Sequence, residues 1–342
     1  MNKLESGRLI LREIQEDDFT AIHSYASCPE NVIYMQWGPN TEGQTRDFIA
    51  AAMKETAFDN PNKDYIFAAV LKNDGRLIGG CDMHVNGIEA ALGWILHRDY
   101  WKQGYGPEMG KALLKFGFER LSLHRVIAKC DADNYGSYRV MEKIGMRREG
   151  LSIEGRPANK LTDRLYSDEL SYAILKDEWE AQNEMSYYNS LPVLFDDFMD
   201  VPQLSDGEIY LVCMAKKPAD PDKNLVPAYD FAICKDGEKI GEINLRIGYT
   251  DRLYYGGQIG YGVDEKHRGN GYAARACQLL RTVAKTHGMK KLLITNDHMN
   301  TASRRVCEKL GARLVRCTRL PEWHDLYKDG HRYENIFEWG VD

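Results

Sequence analysis

Two short loops in this chain carry residues whose types and spacing suit the binding of a phosphorylated ligand. Trp101-Lys102-Gln103-Gly104-Tyr105-Gly106 is followed downstream by Asn134 and Ser137, and Arg268-Gly269-Asn270-Gly271-Tyr272-Ala273 by Asn300 and Ser303. In each case a Gly-aromatic-x-aliphatic run (Gly93 to Leu96, Gly260 to Val263) precedes the loop and a helical pattern follows it. A helix N-terminus presents unpaired N–H groups and the positive end of its dipole. Glycine at 104 and 271 removes the Cβ that would hold a pyrophosphate off the backbone. A single G-x-G turn also serves as a plain strand-to-helix connection. Two copies with the same downstream Asn-x-x-Ser favour the anion cradle.

Gly104 and Gly271 stand 167 positions apart (271 − 104), and Asn134 and Asn300 stand 166 apart (300 − 134). A period that long means duplicated domains rather than a solenoid. The 342 residues suffice for two cores. The expected division is a first domain at 1–180, a helical linker at 181–190 and a second, shorter domain at 191–342; the polar, tyrosine-rich stretch before Pro192 marks the join.

The elements that must position the loops follow from hydrophobic period and turn chemistry. In the first half, strands are predicted over 8–13, 65–71, 76–84, 90–96, 125–132, 146–153 and 165–175, with helices over 17–26, 44–54, 107–121 and 137–144. Asn73-Asp74-Gly75 is a hairpin turn. The second half repeats the order with strands over 208–216, 229–234, 239–247, 257–263, 291–295 and 313–316 and helices over 272–287 and 302–310. Between its first two strands it has only a Pro- and Asp-rich loop, where the first half has two helices. That side is expected to be open or roofed by the first half. Each half therefore reads as an α+β domain.

The net charge is −6 with no long basic run, which argues against a nucleic-acid partner and for a cationic substrate. No apolar run reaches membrane-span length and no signal-peptide core opens the chain, so a soluble, cytoplasmic protein is expected. The eight cysteines form no C-x-x-C pair, pointing to reduced thiols and no metal.

The order of elements, the two loops and the Asn-x-x-Ser helices resemble the GNAT superfamily of N-acetyltransferases, over nearly the whole chain. The first half looks most like its ribosomal-protein alanine N-acetyltransferase branch, on Leu9-Ile10-Leu11-Arg12, Glu16-Asp17-Asp18, Gly93-Trp94, Trp101 with Gly104-Tyr105-Gly106, Asn134 with Ser137, and Lys143 with Gly145. The resemblance implies two tandem domains, each a mixed, mostly antiparallel sheet flanked by helices. It also implies acetyl-CoA as acetyl donor, with pyrophosphate on Gln103, Gly104, Tyr105 and Gly106 or on Arg268, Gly269, Asn270, Gly271, Tyr272 and Ala273. Pantetheine would pair with Ile95-Leu96 or Gly262-Val263 and meet Asn134 or Asn300.

Acetyl transfer to an amine by direct attack needs a neutral amine, a stabilised oxyanion and a protonated leaving thiol. Many relatives use a tyrosine seven residues after the asparagine as the acid; here Met141 and Cys307 hold that place. The alanine-acetyltransferase branch suggests Ser137, and by repeat Ser303, although a serine there also suits a helix cap. Cys307 shares an apolar helical face with Leu310, the pattern of a buried thiol. Glu89 is a candidate base, with an exposed hairpin charge as its plainer reading. The acceptor expected is a protein or peptide N-terminus, with a small polyamine or aminoglycoside as the alternative. A homodimer, and one half kept as a non-catalytic CoA-binding or scaffolding module, are further readings.

Overall fold

Successive residues along a strand face opposite sides of its sheet, so a strand apolar throughout is buried on both. A computed structural model describes residues 3–54 and 64–341. In the first unit, β1 (Leu4–Glu5) and β2 (Leu9–Glu13) lead into α1 (Phe19–Ala26), α2 (Pro29–Val32) and α3 (Glu42–Lys54). Then come β3 (Asp64–Leu71), β4 (Leu77–Asn86), β5 (Glu89–Leu96), α4 (Tyr105–Lys115) with a π-helical turn over Phe116–Arg120, β6 (Arg125–Asp131), α5 (Tyr135–Lys143), β7 (Arg147–Pro157), β8 (Tyr166–Leu175) and α6 (Lys176–Asn189). The strands form one sheet in the order β1-β2-β3-β4-β5-β6-β8-β7. Every pair is antiparallel except β5 with β6.

That sheet has two buried faces. Tyr65, Phe67, Cys81, Met83 and Leu92 pack with Met109 and Leu113 of α4. On the other face Ala68 and Val70 pack with Ile22 and Tyr25 of α1 and Ile49 of α3, with Ile66 and Ile95 at the margin. α1 and α3, between β2 and β3, thus cover one side of the sheet.

The chain divides by contact density into Met1–Trp179 and Glu180–Asp342. The second unit contains β9 (Leu204–Ser205), β10 (Tyr210–Lys217), β11 (Ala228–Lys235), β12 (Glu238–Arg246), α7 (Asp251–Gly256), β13 (Ile259–Val263), α8 (Tyr272–Thr286), β14 (Lys291–Asp297), α9 (Thr301–Lys309), β15 (Arg313–Arg319), α10 (Asp325–Lys328) and β16 (Tyr333–Gly340). Its strands make two sheets, β13-β12-β11-β10-β9 and β14-β16-β15.

Elements absent from the sequence expectation include α7 and β16. α7 and β16 carry no clear periodic signal, because β16 buries Glu334 and Asn335 in mid-strand; His331 Nδ1 lies 2.8 Å from Glu334 Oε1, and Asn335 Nδ2 donates to Asn296 Oδ1 at 3.1 Å. As expected, the connection between β10 and β11 holds only a 3₁₀ turn, Pro221–Lys223, where the first unit has α1, α2 and α3. The sheet face left without them is polar at its centre, with Asp230, Glu242, Asn244 and Arg246 where a covered sheet would carry aliphatic side chains.

Residues of α6 from 180 onward belong to the second core. Ala181 and Tyr188 are buried, Glu184 accepts from Tyr254 Oη at 2.6 Å and from Arg316 Nη2 at 2.9 Å, and Tyr188 Oη donates to Glu338 Oε2 at 2.8 Å. A fragment of residues 190–342 should therefore melt well below one of 180–342, by about 3 kcal/mol or more, since it breaks a largely buried ion pair. Equal melting of the two fragments would show that the helix contributes nothing to that core.

Candidate functional site

The cradle begins where a strand pair ends. β5 pairs with β6 only from Glu89↔Arg125 to Leu92↔Ala128, so Gly93 to Leu96 diverges from its neighbour and presents unpaired backbone groups on that side. In the second unit the divergence goes further. β13 and β14 belong to separate sheets, joined where Gln258 N donates to Leu293 O at 2.8 Å and Leu293 N to Gln258 Oε1 at 2.6 Å.

Both loops then fold alike. Gly104 and Gly271 take left-handed conformations, φ 86° and 79°, and directly precede α4 and α8. The position two residues earlier is also left-handed: Gly269 at φ 85° costs little there, whereas Lys102 at φ 59° carries the penalty of an L side chain in that region, about 1–2 kcal/mol. Gln103 Nε2 donates to Asp99 O at 2.8 Å and Asn270 Nδ2 to His267 O at 3.1 Å, tying each loop back on itself. Ala273 stands where Gly106 does; at Gly106 a Cβ would meet Val140 Cγ2 at 2.8 Å, so the glycine lets α5 approach α4.

Trp101 and Arg268 look unrelated but make the same bond. Trp101 Nε1 donates to Leu96 O at 2.8 Å and Arg268 Nε to Val263 O at 3.0 Å, each pinning the loop to the last residue of the strand before it. Each loop also has a flanking cation that sequence reasoning missed. Arg8 Nη1 donates to Gln103 O at 3.1 Å with its guanidinium 4.2 Å from the Tyr105 ring centre, and a Cβ on Gly271 would lie 3.8 Å from Lys309 Nζ. Tyr105 and Tyr272 open the two helices, and first-turn N–H groups of a helix are the kind of donor that suits an anion.

The asparagines, not the serines, cap α5 and α9. Asn134 Oδ1 accepts from Ser137 N and Asn300 Oδ1 from Ser303 N, both at 3.0 Å. No partner among the described residues takes either Nδ2, which leaves an amide donor for a ligand. The Ser137 hydroxyl is therefore left out of the cap; nearby Cys130 is a thiol pushed up to about 11 by burial. Ser303 Oγ lies 2.8 Å from Tyr261 Oη, whose ionisation burial strongly disfavours. Ser137→Ala should slow the first unit about 10²-fold, the low end for a positioned proton donor. It should leave the melt nearly unchanged, while Asn134→Ala costs about 1 kcal/mol. An unchanged rate in Ser137→Ala ends the acid role for this serine.

Two candidates lie elsewhere. Glu89 sits at the start of β5, away from the loop, 2.7 Å from Arg125 Nε, and Arg125 also holds Glu149; it is committed to an ion-pair network. Cys307 is fully buried, its thiol pushed up to about 12 by burial and approached by Asn296 Nδ2 at 3.7 Å. It is a core residue.

A cluster that sequence reasoning passed over lies beside the diverging strand. His84 Nδ1 is 2.8 Å from Asp64 Oδ1 and its Nε2 is 3.0 Å from Asp82 Oδ1, and the His84 side chain is 52 % exposed. Register explains the grouping: Asp64 is opposite His84 across β3–β4, and Asp82 is opposite Gly93 across β4–β5. The Asp82 carboxylate rests on Gly93, where a Cβ would be 2.6 Å from both oxygens. Asp82 first, then Asp64, raise His84 to about 9 by favouring the imidazolium.

The second unit has the same register with different chemistry. Asn244 is opposite Gly260 and Ala228 opposite Arg246, so Ala228, Asn244 and Arg246 stand where the first unit has Asp64, Asp82 and His84. None of them takes a proton near neutrality. Among the described residues one further group, Asp297, His331 and Glu334, brings potential metal-ligand atoms within 4.8 Å of one another; the histidine already bridges the two carboxylates.

Sequence comparison agrees with this geometry. The profile of the Acetyltransferase (GNAT) domain matches residues 8–147 and 204–313, once in each unit. The chain is 35 % identical over 179 residues to the uncharacterized N-acetyltransferase YnaD of Bacillus subtilis (strain 168), covering 52 % of this chain and 98 % of that protein. It is 30 % identical over 183 residues to the uncharacterized N-acetyltransferase p20 of Bacillus licheniformis, covering 52 % and 99 %. A solved GNAT-family acetyltransferase from Bacillus anthracis is 34 % identical and aligns over 51 % of this chain and 99 % of its own, with a TM-score of 0.46. No helix among the described residues is long and apolar enough to cross a membrane.

Proposed function

Because the chain belongs to the GNAT acetyltransferase domain family, we propose that its first unit acetylates the α-amine of a protein or peptide N-terminus, while the second unit binds CoA without turnover. The observation that carries this reading is the Asp64–His84–Asp82 cluster against Gly93, present in one unit and replaced in the other.

The chain's groups fit the donor: glycines at the helix entrances, Arg8 or Lys309 beside them, a free asparagine amide and an unpaired strand edge. Acetyl-CoA, when bound, supplies the acetyl group as a reactive thioester. The cluster takes the proton that the attacking amine loses as its C–N bond forms: a carboxylate of the Asp64–His84–Asp82 group receives it and passes it to the unprotonated ring nitrogen of neutral His84, since both ring nitrogens face carboxylates. Unpaired N–H groups along Gly93 to Leu96 stabilise the oxyanion. Ser137, whose hydroxyl the helix cap leaves free, returns a proton to the thiolate as the C–S bond breaks.

Proton affinity favours an α-amine. An α-amine, roughly 8, is less fully protonated at neutral pH than an alkylamine of about 10.4, so more of it is present as the neutral nucleophile that attack requires. The negative charge of Asp64 and Asp82 also draws a cationic acceptor. The test is thiol release from acetyl-CoA with a lysine-free peptide bearing a free N-terminus, against spermidine. Turnover with the peptide and little with spermidine is expected; turnover with spermidine alone would replace the reading by a polyamine one.

A further inference from the structure

The polar face of the second unit holds a cavity of about 320 Å³, bounded by β11, β12, α7 and the segment around α10. Its size lies at the lower end of small-molecule sites. Five charged side chains line it, and four are already matched: Lys217 pairs with Asp230 at 2.5 Å, and Arg252 pairs with Asp325. His324 adds no charge, because its Nδ1 accepts from Leu326 N at 3.2 Å and its Nε2 faces Arg252 O at 3.0 Å, which fixes a neutral tautomer, and burial lowers its pKa.

Arg246 is the remaining charge. Its Nη1 donates to Gly256 O and Gly257 O, both at 3.0 Å, and no carboxylate among the described residues lies within ion-pair distance of it. Nε and Nη2 bond nothing among the described residues, so one edge of the planar fork is unsatisfied. That edge faces the strand: a Cβ on Gly260 would sit 3.4 Å from Nη2. A half-buried guanidinium without a counter-charge is costly unless an anion completes it.

We propose that this cavity binds a small carboxylate-bearing ligand, a monoanion the size of an amino acid, whose carboxylate is held bidentately by Arg246. The fork matches a carboxylate in shape. One surplus positive charge matches one negative charge, and a phosphate dianion would bring a second negative charge for which the lining holds no unmatched cation. Leu253 and Leu326 supply apolar wall for the rest of the ligand. The site lies where the first unit places its base, so the duplicated position has exchanged proton transfer for anion recognition.

The test is calorimetric titration of the full chain with benzoate, benzamide and inorganic phosphate as probes. Benzoate should bind saturably at millimolar concentrations or below, with benzamide and phosphate each at least about tenfold weaker, the value of a charged hydrogen-bonded pair. Arg246→Gln should lose about tenfold or more in benzoate affinity. Because Arg246 also ties down the end of α7, Leu326→Trp, which fills the cavity and leaves Arg246 in place, serves as the second variant and should also abolish benzoate binding. Benzamide binding as tightly as benzoate, phosphate binding better, no saturable benzoate binding below about 10 mM, or undiminished binding in both variants would each overturn the proposal. Turnover with a peptide acceptor is measured on the same samples; it depends on the first unit, so either result leaves the transferase reading to stand or fall by itself.

Discussion

His84→Gln should lower kcat for acetyl transfer by about 10²–10⁴-fold, the range for a positioned general base, with acetyl-CoA affinity nearly unchanged. The pH dependence separates catalysis from structure. The groups facing His84 are Asp82 on its own strand and Asp64 on β3, while Ala91 and Gly93 on β5 do not titrate. Both carboxylates favour the charged ring, so its pKa stands raised, to about 9. Transfer needs the neutral ring, so the rate should rise as pH passes through about 9. Removing one carboxylate in Asp64→Asn must move that limb to lower pH. The acceptor's own α-amine titrates near 8, and its limb stays where it is in the variant. A limb that does not move in Asp64→Asn, or a His84→Gln rate within about threefold of wild type, would remove His84 from the mechanism.

Gly104→Glu should abolish transfer, and Gly271→Glu should leave it almost intact. At 104 the new side chain faces three obstacles: a left-handed backbone at φ 86°, an Arg8 Nη2 only 3.3 Å from its Cβ, which it would neutralise, and like charge against a pyrophosphate. Two like charges about 4 Å apart repel by roughly 4 kcal/mol at an effective dielectric near 20, close to a 10³-fold loss. The same damage at 271 falls on a unit whose register positions hold Ala228, Asn244 and Arg246, so turnover should survive. Loss of turnover in Gly271→Glu with retention in Gly104→Glu would reverse the division of labour.

What the chain shows in one dimension is what depends on local chemistry. The cradles were legible because a helix entrance that meets an anion needs glycine, and because duplication wrote the same Asn-x-x-Ser twice. The missing helices were legible from the Pro- and Asp-rich loop before Tyr229. The His84 cluster was not, because Asp64, Asp82 and His84 meet only through the register of two strand pairs; the readable trace was Asp82 and His84 on one face of a strand whose partner begins with Asp64. Glu89 misled for the same reason, its partner Arg125 lying across a parallel pair. Trp101 read as a departure from the Arg268 pattern, yet an indole N–H and a guanidinium N–H reach the same carbonyl. That Asn134 rather than Ser137 caps α5 was not legible, since a helix start does not reveal which of two polar residues caps it. β16 was hidden by the polar residues it buries.

The most direct measurement is calorimetric titration of the whole chain with acetyl-CoA. If duplication kept both cradles, the unmutated protein takes up two equivalents, and Gly104→Glu and Gly271→Glu each take up one. A single equivalent in the unmutated protein, lost entirely with one substitution and untouched by the other, would contradict the claim that both loops bind the donor.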